Sequence, residues 1–171
     1  MHDPNDLIGK ASAIVGDGQQ IVAAGIFGLK DDYVAVGLGT VAGASVGDVL
    51  LDSSLAGAVG GAAGMHATRS ALAASRGLTV RMLVAVTPEH IRVLDWDTGS
   101  GPTKELVSFH RSSTEVKVSK FGLSRHLELH DSDSGRSLTL SGSTAPFASE
   151  SKGDKAVLKE LSAREWVTRI G

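Results

Sequence analysis

His126, Glu128 and His130 alternate with Leu127 and Leu129, so a strand through them turns two imidazoles and a carboxylate to one face and the leucines to the other. These are metal-ligand types, but residues four apart along a strand are separated by about 13 Å, too far for one zinc held at about 2 Å from each ligand. Sharing an ion would need a donor from a neighbouring strand, so the triplet reads as a solvated face and no metal is assigned. Lys104, Arg111, Lys117, Lys120 and Arg125 outnumber Glu105 and Glu115 along the same stretch, five against two, a local surplus of three positive charges. Such a strip attracts anions, and Lys117, Lys120 and Arg125 are the candidate contacts for an anion or a lipid headgroup. Catalysis has no comparable foothold. No serine sits in a Gly-x-Ser-x-Gly elbow, no spacing specifies a triad, Gly16-x-Gly18 lacks the third glycine of a dinucleotide fingerprint, and no phosphate loop ends in Gly-Lys-Ser/Thr. The expectation is a chain that is not an enzyme and carries no cofactor.

Seventeen basic and nineteen acidic residues in 171 leave a formal charge of −2, so no global polycation drives binding to nucleic acid. The aromatic residues, two Trp, one Tyr and four Phe, are scattered rather than arranged as a stacking surface. The absence of cysteine removes disulfides and thiolate chemistry and fits a reducing cytoplasm, the expected location. Met1-His2-Asp3-Pro4 does not read as the basic start of a secretory signal.

The elements that would position these residues follow from periodicity. Asp3 as N-cap, Pro4 at the first helical position, and Leu7, Ile8, Ala11, Ile14 and Val15 at helical spacing predict an amphipathic helix over 3–16. Gly16-Asp17-Gly18 ends it, and the short apolar run Gln20–Phe27 places a first buried strand within 18–28. From Leu78 the period becomes two. Thr79–Val86 and His90–Trp96 flank a Thr87-Pro88-Glu89 turn, and Glu105–Arg111, Glu115–Phe121, His126–Asp131 and Ser137–Ser141 continue as an antiparallel meander over 78–142. Val157, Leu158 and Leu161 then form one helical stripe, opening a C-terminal helix over 154–171.

Seven strands, a closing helix and an insertion after the first strand resemble the bacterial pleckstrin-homology-like (PH-like) family. The residues that carry the resemblance are the Gln20–Phe27 strand, the Leu83–Leu94 hairpin with its Val86-Thr87-Pro88-Glu89-His90-Ile91 centre, and the final helix. The resemblance implies a single α+β domain over 1–171, a seven-stranded antiparallel PH-like barrel with a C-terminal helix. Phosphoinositide-binding members place basic residues around the loop joining their first two strands; here a glycine-rich insertion stands in its place.

That insertion, over 34–77, is compositionally distinct: eight of the twenty-one glycines fall between Gly37 and Gly64, with only Asp48 and Asp52 as charges. Gly39, Gly43 and Gly47 recur at four-residue spacing, as do Ala56, Gly60 and Gly64 and the pair Gly57 and Gly61, continued by Ala67, Ala71 and Ala74 until Gly77. Helices through them would present side-chain-free grooves, which predicts a glycine-zipper helical hairpin. Glycine in a helix interior costs about 0.8–1 kcal/mol against alanine, so half a dozen forgo roughly 5 kcal/mol that close backbone packing must offset. The charge-free stretches Tyr33–Gly47 and Ser53–Thr68 fall short of the roughly 20 residues that span a bilayer. Beyond the stripe of the last helix, Ala163, Trp166, Val167 and Ile170 form a rotated second stripe, so Trp166 and Ile170 either fold back on the domain or meet a partner.

The expected function is therefore a binding or assembly module, self-associating or holding a protein partner through the glycine-spaced segment. The alternative is a peripheral membrane adaptor using that segment and the basic strand face. Gly43→Leu and Gly60→Leu should each lower the melting temperature and change the oligomeric state seen by light scattering; if both properties stay unchanged, the packing role of these glycines is lost.

Overall fold

The first helix forms where cap chemistry and periodicity agree. In α1 (Pro4–Val15), Asp3 Oδ1 accepts from the Asn5 N–H at 2.8 Å, Pro4 needs no hydrogen-bond partner at the first turn, and Gly16 at φ +91° ends the helix. The computed structural model of the chain describes residues 2–16, 18–29, 73–74 and 77–163. Contacts divide the chain into two compact units, Met1–Lys30 with Arg81–Gly171, and Asp31–Val80.

The first unit carries the strands β1 (Ala23–Leu29), β2 (Arg81–Val86), β3 (His90–Asp95), β4 (Glu105–His110), β5 (Thr114–Phe121), β6 (Ser124–Asp131) and β7 (Ser137–Ser143), and then helix α2 (Ser151–Ser162). They form one antiparallel seven-stranded sheet in the order β4-β3-β2-β1-β7-β6-β5. The sheet is open, with β4 and β5 as its edges. Its weakest seam is central: β1 and β7 share only the register pairs Gly28↔Ser141 and Leu29↔Leu140, whereas β5 and β6 pair from Thr114↔Asp131 to Phe121↔Ser124.

Burial explains the sequence patterns. β1 (AAGIFGL) and β2 (RMLVAV) lack alternation because both of their faces are covered. Leu7 and Ala11 of α1 pack with Ala24, Ile26, Leu83, Ala85, Leu94 and Trp96 on one face. Alternation sends Gly25 and Phe27 to the other, where α2 lies with Val157, Leu158 and Leu161 buried. β7 and the second half of β6 have one covered face and alternate accordingly.

At the crossing of α2 over β1, side chains are absent on both partners. A methyl group on Gly25 would lie 2.7 Å from the Gly153 carbonyl carbon and 2.8 Å from Asp154 N; one on Gly153 would lie 2.7 Å from Ala24 O. Two backbones touch there. The helix also begins earlier than the expected 154, because Gly153, which reads as a breaker, is its point of closest approach. The first strand is shorter than 18–28: Ile21 is buried and Val22 N donates to Val86 O at 2.8 Å, but the ladder begins at Ala23.

In the second unit, Ala73 and Ala74 are helical, and Gly77 at φ +69° donates to Ala74 O at 3.0 Å while Leu78 donates to Ala73 O at 2.8 Å. This is the bond pair of a Schellman cap. Gly39, Gly43, Gly47, Gly57, Gly60, Gly61 and Gly64 lie outside the described residues, as do Trp166 and Ile170.

Gly25→Ala should destabilise the protein by about 2 kcal/mol or more, since neither clashing group can rotate away. Adding Gly153→Ala should cost less than a second independent loss, because both act on one contact. Denaturant melts of the single and double variants measure this; a Gly25→Ala protein as stable as the parent would refute the contact.

Candidate anion-binding site

A cationic groove forms where the β5–β6 hairpin meets the second half of α2. Lys120 and Arg125 are cross-strand partners, one register step from the turn closed by Phe121↔Ser124. Alternation puts Val118 and Lys120 on the side of buried Leu127 and Leu129, so the apolar face of this hairpin ends in two cations. On α2, Lys155, Leu158, Lys159 and Ser162 recur at helical spacing and make the facing wall, and Thr144 closes the end. The groove encloses about 330 Å³ and is lined by Val118, Lys120, Arg125, Thr144, Lys155, Leu158, Lys159 and Ser162. Its lining holds two hydroxyls, four cations and no carboxylate.

Of the three basic residues singled out in the sequence, the structure brings Lys120 and Arg125 together and parts them from Lys117. Lys117 points to the outer face, opposite Glu128, with Nζ 4.0 Å from Oε2. Arg111 is committed elsewhere. Its guanidinium donates to Thr87 O at 2.9 Å and to Glu160 Oε1 at 3.2 and 3.3 Å, tying the end of β4 to α2. Lys155 and Lys159 escaped the sequence reading. The signal was available as an i, i+4 pair flanking the buried stripe, but nothing in the chain says which strands that flank overlooks.

The chain matches no protein-family model and no curated protein.

Leu127 and Leu129 are buried, while His126, Glu128 and His130 lie on the opposite face; His130 Nδ1 is 2.7 Å from Ser137 Oγ. Among the described residues no three His, Cys, Asp or Glu side chains are grouped to hold a metal ion, and no helix is long and apolar enough to cross a membrane. Arg125 is oriented by its own turn, since Nη1 donates to Gly122 O and Ser124 O, both at 3.1 Å. The groove presents hydrogen-bond donors and positive charge to one concavity.

The chemically unusual acid sits at the other end of α2. Asp154 is 1% exposed; its Oδ2 accepts from Ser143 N at 2.7 Å, and Oδ1 is buried without a hydrogen-bond partner among the described residues. Burial pushes its carboxyl up to about 8 against the pull of the Ser143 hydrogen bond, and the nearby Glu150 charge pushes the same way. Glu150 itself stays ionised: burial raises it, but hydrogen bonds from Ser149 and Arg81 outweigh that and hold it below the usual range. An unfolded Asp gives up its proton near 3.8, whereas the folded chain keeps it until about 8, so the folded state holds more protons in between. Stability is therefore fullest below the unfolded value and falls as pH rises through about 8. Asp154→Asn should flatten that slope, with melting temperatures at pH 5 and pH 9 closer together than in the parent protein. An unchanged slope would remove Asp154 as its source.

Proposed function

We propose that the chain is a non-catalytic binding module of PH-like architecture, and that its ligand is an anion held between β5–β6 and α2. The strand order, the closing helix and the insertion between β1 and β2 support the PH-like reading. The single observation that carries the ligand is the lining itself: Lys120, Arg125, Lys155 and Lys159 converge with Thr144 and Ser162 and no acid neutralises them there. Four like charges around one concavity repel one another, and an anion that accepts hydrogen bonds from them relieves that repulsion. A phosphate or carboxylate group has the acceptor geometry this set of donors serves.

The glycine-spaced segment supports a second activity, assembly with another copy or a protein partner. Its support is the spacing of Gly39, Gly43 and Gly47 and of Gly60 and Gly64, together with the helix cap at Gly77. The two readings use different parts of the chain and are compatible.

Titration of the isotope-labelled protein with glycerol 3-phosphate tests the groove. Amide shifts should move within 118–125, at Thr144 and within 155–162. Lys120→Gln and Lys155→Gln should each weaken binding by roughly five-fold. Shifts that fall elsewhere, or that survive in the double variant, would refute the assignment.

A further inference from the structure

Three large apolar side chains are exposed among the described residues, Val22 at 40%, Leu123 at 65% and Phe147 at 95%, and the last two lie in the loops that meet at Thr144. Leu123 is at the tip of the β5–β6 turn, where Gly122 at φ +58° takes the first central position of a two-residue hairpin loop. Phe147 lies in the connection from β7 to α2. The two loops are fastened together: Thr144 N and Thr144 Oγ1 both donate to Leu123 O, at 2.9 and 2.8 Å. Thr144 is also a wall of the groove, and Arg125 is bonded to the same turn that carries Leu123. The loops that carry these two exposed apolar side chains are thus joined at a residue of the cationic groove.

We infer that this end docks on a membrane surface bearing anionic headgroups, with Leu123 and Phe147 entering the acyl boundary and Lys120, Arg125, Lys155 and Lys159 meeting the phosphates. The inference rests on the anion groove and names the source of its anion. Charge complementarity selects the occupant: a bilayer leaflet supplies dense negative charge directly above hydrocarbon, the same vertical order as cations behind apolar tips. The apolar side chains are also single and protruding rather than joined in a packed patch. A fluid closes around such tips, whereas a folded protein partner would need a preformed hollow for each. The hydroxyl-rich connection, with Ser143 Oγ accepting from Ala145 N at 3.3 Å, keeps the backbone behind Phe147 folded as it enters.

The test is co-sedimentation of the full chain with vesicles of phosphatidylcholine and phosphatidylserine at three to one, against phosphatidylcholine alone. Pelleting should occur only with phosphatidylserine and weaken as salt is raised. Leu123→Ser with Phe147→Ser should reduce vesicle binding by about ten-fold or more while leaving the melting temperature and the glycerol 3-phosphate shifts unchanged. Lys120→Gln with Lys155→Gln should reduce both vesicle binding and the shifts. No pelleting, or pelleting indifferent to the Leu123 and Phe147 changes, with the phosphate shifts intact would overturn membrane docking and leave a soluble anion in the groove. Loss of the shifts in the parent protein would overturn the groove itself. A dimer in vesicle-free solution that dissociates in the Leu123/Phe147 variant would assign these tips to contact between copies and also overturn the inference.

Discussion

The contact of Gly25 with Gly153 is the constraint around which the rest is arranged. A strand and a helix normally stand about 10 Å apart, with side chains filling the gap. Here both surfaces are bare at the crossing, so peptide groups meet directly and the position of α2 along β1 is set by sterics rather than by a deformable layer of side chains. That matters because the sheet is weakest beside this point, where β1 and β7 share only a two-residue ladder. The helix packs across β1, β7, β2 and β5, and so joins the two halves that the ladder barely holds.

Once its first turn is placed, the chemistry of α2 is distributed along its length. The N-terminal turn buries Asp154 as a proton-holding acid and pairs Glu150 with Arg81. The middle buries Val157, Leu158 and Leu161. The flank turned to the β5–β6 hairpin carries Lys155 and Lys159. Near the far end Glu160 accepts from the buried Arg111 guanidinium, which also donates to Thr87 O, so the helix is clasped to the end of β4. A helix held at both ends cannot swing its lysines away from Lys120 and Arg125. The wall that carries Lys155 and Lys159 is thus tied to the sheet on either side of them.

How legible this was can be seen element by element. Asp3, Pro4 and Gly16 bound α1 by local chemistry, and the later strands were marked by apolar order, a continuous run in the doubly covered β2 and alternation in strands such as β6 and β7 with one covered face. Lys120 and Arg125 were visible as members of a basic stretch. Lys117 looked equivalent to them and is not, since its odd spacing of three residues from Lys120 along one strand turns it to the opposite face beside Glu128. Gly153 in isolation weakens a helix; opposite Gly25 it permits one.

What the chain determined by itself is everything that depends on near neighbours: element types, caps, turns, the antiparallel meander and the bias of charge toward its second half. Only the tertiary structure decided which cations share a space. Lys120 and Lys155 are far apart in sequence, and their convergence follows from the angle and height at which one helix crosses one strand. That placement is the outcome of steric contact between Gly25 and Gly153, a relation between two absent side chains that no local periodicity encodes.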